Sequence, residues 1–260
     1  MTHLHVDHAG GASKIKEQTK SEILYHENEL KALKYALQAG DWLPNIFDVG
    51  DMAAFNMALG FIRNLPEPDH AISDQTSIGR WKVIHTPGHT PGHIILTDGS
   101  TAITGDLILM DDTSNIAYVP LTGYHPLSSY LESVVYVASL KVDLFLPSHG
   151  EVFTECRQRI SEIFSHHYQR LSQTAQALAQ GDTTPSLIAE RISWSSGKFA
   201  TLKPLEKWLA ILETISHLDF LVETGYAVNK SALSYQLSET ADWGTVKTRL
   251  TEISQNMWKA

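Results

Sequence analysis

The segment Thr2-His3-Leu4-His5-Val6-Asp7-His8 gathers three imidazoles and a carboxylate within residues 3–8. Side chains alternate across an extended segment, so His3 and His5 can grip one cation from the same face. Asp7 and His8 are neighbours and must diverge; a turn at this point lets them address a second cation a few ångströms from the first. Imidazole and carboxylate are ligands that suit Zn2+ and related divalent metals. A surface histidine cluster or a cloning remnant is the competing explanation. Three later segments weigh against it. Thr86-Pro87-Gly88-His89-Thr90-Pro91-Gly92-His93 mounts His89 on a tight turn fixed by two Pro-Gly pairs. Gly105-Asp106 and Pro147-Ser148-His149-Gly150 each follow an apolar run, where a strand gives way to a loop and a rigid scaffold can present a functional group.

The elements that must position these groups follow from patterning. Ala12 to Ala39 has helical composition, enough for one or two helices, with Gly40 and Pro44 as a stop. Trp81-Lys82-Val83-Ile84 alternates and ends at Thr86-Pro87-Gly88. His93 to Thr97 then runs into Asp98-Gly99, a hairpin signal before Thr101-Ala102-Ile103-Thr104. Pro126 to Leu140 has helical spacing, and Val142 to Leu146 is a short apolar run that delivers Pro147-Ser148-His149-Gly150. Alternating helices and short strands imply an α/β layered domain. Beyond it, Arg157 to Gln180 predicts a helix ended by Gly181, and Thr184-Pro185-Ser186 a cap before Leu187-Ile188-Ala189-Glu190. Pro204 to Glu223 predicts a longer helix ended by Gly225. Tyr226-Ala227-Val228 and Ser234-Tyr235-Gln236-Leu237 are set to pair as a small wing.

The four motifs, in this order, resemble those of the metallo-β-lactamase fold superfamily over about residues 1–152. The resemblance implies an αββα sandwich. It also implies a first metal held by His3, His5 and His89, a second held by Asp7, His8 and His149, and Asp106 bridging them. Asp7 takes a catalytic part, orienting a hydroxide held between two divalent ions, Zn2+ in the first place, with Mn2+ or Fe2+ as alternatives. Two such cations about 3.5–4 Å apart lower the pKa of bound water and stabilise a developing oxyanion, which makes hydrolysis the natural outcome. His85 and His93 are expected to pack beside or orient the ligands. His26 and His70 are expected at the surface, His166 and His167 as structural or solvated helix residues, and Cys156 as an inert one. Tyr124 and His125 are candidates to line the substrate pocket, with a cap and turn as the alternative.

Residues 153–260 resemble, loosely, the mostly helical winged-helix-like domain that follows the hydrolase domain in one branch of the superfamily. That branch includes a mitochondrial lactamase-like endoribonuclease, and the likeness rests on the helix carrying His166 and Arg170 and on the one ending in Glu223-Thr224-Gly225. Charge points away from nucleic acid. The chain of 260 residues carries a net charge of -9, with nine Lys+Arg against 18 Asp+Glu in residues 1–152 and 11 of each in 153–260. A phosphate-binding surface normally needs a basic footprint. Composition otherwise describes an ordinary globular chain, 43% hydrophobic and 19% charged. It has neither a stretch of roughly 18 apolar residues nor the start of a signal peptide. A single cysteine makes no internal disulfide, which suits a reducing cytosol and would also suit many exported proteins; the expected location is cytoplasmic. A small-molecule substrate is the expected partner, with a substrate-shaping cover or a homodimer contact as the role of the second segment.

One departure matters. The superfamily places several strands before its His-rich motif, whereas here the motif begins at residue 3. The expectation is an N-terminally incomplete sandwich, with His3 and His5 on weakly anchored backbone and reduced metal retention. The Gly-Cys-Gly-Arg-like segment of glyoxalase II is replaced after Gly105-Asp106 by Leu107-Ile108-Leu109-Met110-Asp111-Asp112, which disfavours glutathione thioesters. Three readings follow: a dinuclear hydrolase of an ester, thioester or lactone, an RNA phosphodiesterase, and a catalytically impaired fragment.

Overall fold

The structure, a computed structural model, describes residues 1–38, 60, 63, 65–181, 183–231 and 233–255. The stop expected at Gly40 and Pro44, and Ala39 before it, lie outside the described residues. The chain begins with two short helices, α1 (Val6–Ala9) and α2 (Ala12–Thr19), the second closed by Lys20 in the left-handed conformation. Strand β1 (Leu24–His26) then leads directly into α3 (Glu27–Leu37). The stretch expected to hold one or two helices thus holds two with a strand between them. Strand β1 pairs in parallel with β2 (His70–Ile72).

Five strands form the main sheet in chain order: β3 (Ser77–Ile78), β4 (Trp81–His85), β5 (Ile94–Thr97), β6 (Thr101–Gly105) and β7 (Leu144–Pro147). The first three pairings are antiparallel. The β5–β6 hairpin turns at Gly99, where Asp98 Oδ1 accepts from the backbone N–H groups of Ser100 and Thr101. Strand β7 joins β6 in parallel after a crossover through α4 (Pro126–Ala138).

Alternation along the strands sorts the core into layers. Ile84, Ile95 and Ala102 pack with Leu127, Leu131 and Val134 of α4 on one face. Val83 and Ile94 face the other way, against Ile72 and Leu24 of the β1–β2 pair. Ile23 and Tyr25 point onward to Ala12, Leu30 and Leu33 of the first helices. The order is helices, sheet, small sheet, helices, the αββα sandwich.

The remaining chain comprises α5 (Arg157–Ala179), α6 (Pro185–Arg191), a short hairpin of β8 (Ser193–Trp194) and β9 (Gly197–Lys198), α7 (Pro204–Glu223), the hairpin β10 (Ala227–Ser231) with β11 (Ser234–Leu237), and α8 (Trp243–Gln255). Proline opens α6 and α7, where its fixed φ suits the first turn and its missing N–H costs nothing. Among the described residues, one apolar cluster runs from Ile84 through Phe145 and Ile160 to Leu218 and Ile253. Among the described residues, no helix is long and apolar enough to cross a membrane.

The start of the chain is not frayed, which corrects the expectation of weakly anchored His3 and His5. The Met1 ammonium donates to Leu24 O at 3.0 Å, Ile94 N–H to Thr2 O at 2.9 Å, and Leu4 N–H to Glu29 Oε2 at 2.9 Å. A second correction concerns His26. It is buried rather than at the surface, stacked on His85 with ring centroids 4.0 Å apart, and its Nδ1 accepts from Asn28 N–H at the start of α3. His70 is exposed.

Candidate metal centre

Local structure explains how seven scattered side chains meet. Thr2 to His5 runs extended beside β5, so His3 and His5 lie on one side and Leu4 on the other, in the core. Helix α1 begins immediately after His5, and its turn swings Asp7 and His8 into a second position. Neighbouring parallel strands β6 and β7 end together, with Ser148 N–H donating to Gly105 O at 3.0 Å, and so deliver Asp106 and His149 side by side. His89 sits on a loop wedged between two helices. A Cβ on Gly88 would lie 2.3 Å from Tyr130 Cα of α4, and one on Gly92 would lie 2.3 Å from Glu29 N of α3. Only glycine permits both approaches.

The ligand-capable atoms fall into three overlapping triads, each within 4.8 Å: His3, His5 and His89; His3, His8 and Asp106; and Asp7, His8 and His149. Between the outer two stands Asp106 Oδ2, at 3.4 Å from His8 Nε2, 3.7 Å from His89 Nε2 and 3.6 Å from His149 Nε2. Asp7 Oδ2 lies 3.3 Å from His8 Nε2 and 3.2 Å from His149 Nε2. His89 Nε2 approaches His5 Nδ1 to 3.0 Å. The residues fit a cationic occupant. His3 Nε2 and Asp106 Oδ1 are buried without a hydrogen-bond partner, and a buried polar atom left so is costly. Imidazole lone pairs converging on carboxylates form a donor set suited to divalent metal.

Electrostatics favours the ligating protonation states of His3, His89 and Asp106. Burial and the neighbouring imidazoles push His3 far below the ordinary histidine value, and burial with His93 takes His89 to about 4. Burial opposes ionisation of Asp106, but the His8 hydrogen bond and the surrounding imidazoles prevail and hold its carboxyl at about 2. The same contacts raise His8 against the effect of its burial.

Several supporting residues were not signalled by the sequence. Glu29, buried on α3, accepts from Leu4 N–H, from Gly92 N–H at 2.8 Å and from the Thr90 hydroxyl, so one carboxylate clamps both histidine-bearing segments. Its partners lie 25 to 63 residues away, and no local pattern announces that. His89 Nδ1 faces the Asn115 carbonyl at 2.9 Å; the carbonyl can only accept, so Nδ1 carries the proton and Nε2 is left free to ligate. Asn115 in turn donates to Glu213 Oε2 of α7 at 2.7 Å, and Glu213 faces Arg170 of α5 at 3.7 Å. His93 orients Asp106 as its motif suggested: Nε2 accepts from Asp106 N–H at 3.2 Å while Nδ1 donates to Thr86 Oγ1. His85 donates to Pro91 O at 2.9 Å. Away from the site, buried His167 donates to His217, and buried Cys156 immediately precedes α5.

A cavity of about 830 Å3 opens onto His5, Asp7, His89, Asp106 and His149. Its walls come from α3 and α7. Tyr124 and His125 do not line it. Tyr124 Oη donates to Gly88 O at 3.1 Å and so supports the His89 loop, while His125 pairs with Asp219 at 2.9 Å.

The family model of the metallo-beta-lactamase superfamily matches residues 1–149. The chain belongs to that superfamily. The Drosophila melanogaster beta-lactamase-like protein 2 homolog is 27% identical over 182 residues, covering 69% of this chain and 53% of its own length. The probable metallo-hydrolase YflN of Bacillus subtilis is 27% identical over 168 residues, 58% of this chain and 62% of its own. The chain thus spans roughly half to three-fifths of the length of these curated relatives. Two crystal structures share the fold of this metallo-beta-lactamase superfamily member. A beta-lactamase domain protein from Burkholderia ambifaria has a TM-score of 0.74 at 24% identity, over 91% of this chain and 74% of its own. A metallo-beta-lactamase family protein from Thermus thermophilus has a TM-score of 0.68 at 22% identity, over 91% and 78%.

Proposed function

We propose that this chain is the catalytic part of a metal-dependent hydrolase that cleaves an ester, thioester or lactone bond in a small metabolite. The observation that carries the reading is the pair of outer triads with Asp106 between them, facing a cavity whose described lining residues include no lysine or arginine. His3, His5 and His89 would hold one divalent ion and Asp7, His8 and His149 the other, with Asp106 addressing both; Zn2+ comes first, then Mn2+ and Fe2+. Such ions, when bound, lower the pKa of bound water and polarise the scissile carbonyl. The chain's own residues supply the rest. Asp106 and the imidazoles gather a compact donor set, and Asn115 fixes the tautomer of His89. Asp7, exposed at the cavity, would orient the attacking water, take its proton and return it to the leaving oxygen or sulfur. In balance, the water oxygen bonds to the carbonyl carbon, the C–O or C–S bond breaks, and the proton ends on the leaving atom. The name of the Bacillus subtilis relative, a probable metallo-hydrolase, agrees.

RNA cleavage is the competing reading. Phosphate recognition calls for cationic side chains, and the described lining residues include no lysine or arginine. The test is metal-free protein reloaded with Zn2+, Mn2+ or Fe2+ and offered aryl esters, thioesters, lactones and single-stranded RNA. Turnover of the carbonyl substrates is expected. Cleavage of RNA alone, with a steep loss of binding as salt rises, would overturn the reading.

A further inference from the structure

We infer that the bond cleaved at this centre carries a large, uncharged, apolar group, and that α7 of the C-terminal segment selects it. This rests on the hydrolase reading above and specifies its substrate. The cavity's volume of about 830 Å3 lies toward the upper end of ligand sites, far beyond what a scissile bond alone requires. One end is the polar cluster with Asp106. The other is apolar, with Leu33 and Ala36 of α3 on one side and Leu205, Trp208, Leu209 and Leu212 of α7 on the other.

Charge sets the class. Apart from the candidate ligands, the ionisable residues lining the cavity are acidic, Glu29, Asp111 and Asp112; Glu29 bonds Leu4 and Gly92 and Asp111 lies by Gly150, both beside the metal cluster, and no described lining residue is a lysine or arginine. A phosphate or carboxylate on the substrate's far end would lose its water there with no described lysine or arginine to pair with, whereas an alkyl chain or ring system would shed water against leucine and tryptophan. The wall is also preformed. Tyr118 N–H donates to Leu212 O at 3.3 Å, and Asn115 Nδ2 reaches Leu209 O at 3.5 Å and Glu213 Oε2 at 2.7 Å. These bonds tie the strip holding Asn115 and Tyr118 to α7, so the pocket does not have to be organised when substrate enters. Through Asn115 the same strip reaches His89, which links the selecting wall to the metal cluster.

The test uses the full chain loaded with Zn2+ and two homologous series: 4-nitrophenyl acetate, hexanoate and decanoate for an apolar acyl side, and methyl, hexyl and decyl acetate for an apolar alcohol side. In one series kcat/KM is expected to rise with length, by as much as about fourfold per added methylene until the cavity is filled. Leu209→Glu and Leu205→Glu, which set a charge in the wall at partly exposed positions, should cut the longest-to-shortest ratio at least tenfold, and Leu209→Phe should keep it. Circular dichroism on each variant confirms that α7 is intact. Calorimetric binding of acetate, hexanoate and decanoate gives a readout independent of turnover. Affinity rising with chain length and no hydrolysis of any ester would uphold the pocket while sinking the hydrolase reading. Hydrolysis indifferent to length in both series, or unchanged ratios in both glutamate variants, would overturn the inference and leave the hydrolase reading standing.

Discussion

His3 and His89 lie buried at 0% and 5% exposure, on backbone gripped from both sides, whereas the side chains of Asp7 and His149 stand 60% and 52% exposed at the cavity. The triads are called buried and exposed after these two pairs, although His5 is itself exposed and the His8 side chain is only 10% so; what separates them is how their backbone is held. Behind the first, Glu29 ties Leu4 to Gly92, Ile94 holds Thr2, and Asn115 holds the His89 ring. The exposed triad has its closest contacts within itself and to Asp106, as Asp7 meets His149 at 3.2 Å and His8 at 3.3 Å. Ligands held before a metal arrives lose less freedom on binding it. The two halves should therefore differ in retention: the buried triad keeps its ion, and the exposed triad exchanges.

Removing a ligand from the buried half probes that difference most severely. His89→Ala should lower kcat/KM for an ester turned over by the unaltered chain on the order of a thousandfold, the equivalent of the several kcal/mol a bound ion contributes. Excess Zn2+ should not restore it. His149→Ala should cost less and recover part of its activity when Zn2+ is added in excess, because Asp7, His8 and Asp106 still converge there. Equal, irreversible losses in both variants would erase the distinction between the halves. Glu29→Gln sharpens the comparison from the side of stability. One end of the amide is a donor and must face either Leu4 N–H or Gly92 N–H with Thr90, and a buried donor left unpaired costs about 1–3 kcal/mol, seen as a lower midpoint in urea unfolding. An unchanged midpoint would mean that the clamp is not what secures the buried half.

Acidification probes the metal-free protein away from the cluster. His217 is buried and lowered by burial from 6.5 to about 3, and His167 is lowered well below 6.5 by burial and by His217. Between about 6.5 and 3 the unfolded chain binds protons that the folded chain refuses. Stability is therefore greatest above 6.5 and falls on acidification, by up to roughly 1.4 kcal/mol per pH unit for each such histidine. Thermal unfolding at pH 7, 6 and 5 measures this. A midpoint that rises on acidification would contradict it.

The seven candidate ligands are legible in the sequence because each follows a local rule. Alternation paired His3 with His5, the Pro-Gly pairs marked the His89 loop, and apolar runs ending at Gly105 and Pro147 marked Asp106 and His149. Helix α7 begins and ends at the expected Pro204 and Glu223, since proline and Gly225 punctuate it. What stayed hidden is long-range. Strands β1 and β2 are three residues each, too short to show alternation, and pair across more than forty positions. Glu29, Asn115 and Glu213 owe their roles to partners brought together only by the fold. His26 looked like a surface residue because nothing in its neighbourhood foretells the stack on His85. The charge contrast between the two segments likewise gave no hint that one apolar cluster spans them or that α7 walls the cavity.

The most direct measurement is calorimetric titration of metal-free chain with Zn2+, with the bound ions counted by mass spectrometry. The account predicts two ions per chain, bound in two steps of unequal affinity, with the weaker step alone weakened or lost in His149→Ala. A single ion at saturation, or a His149→Ala variant that loses both steps together, would contradict it.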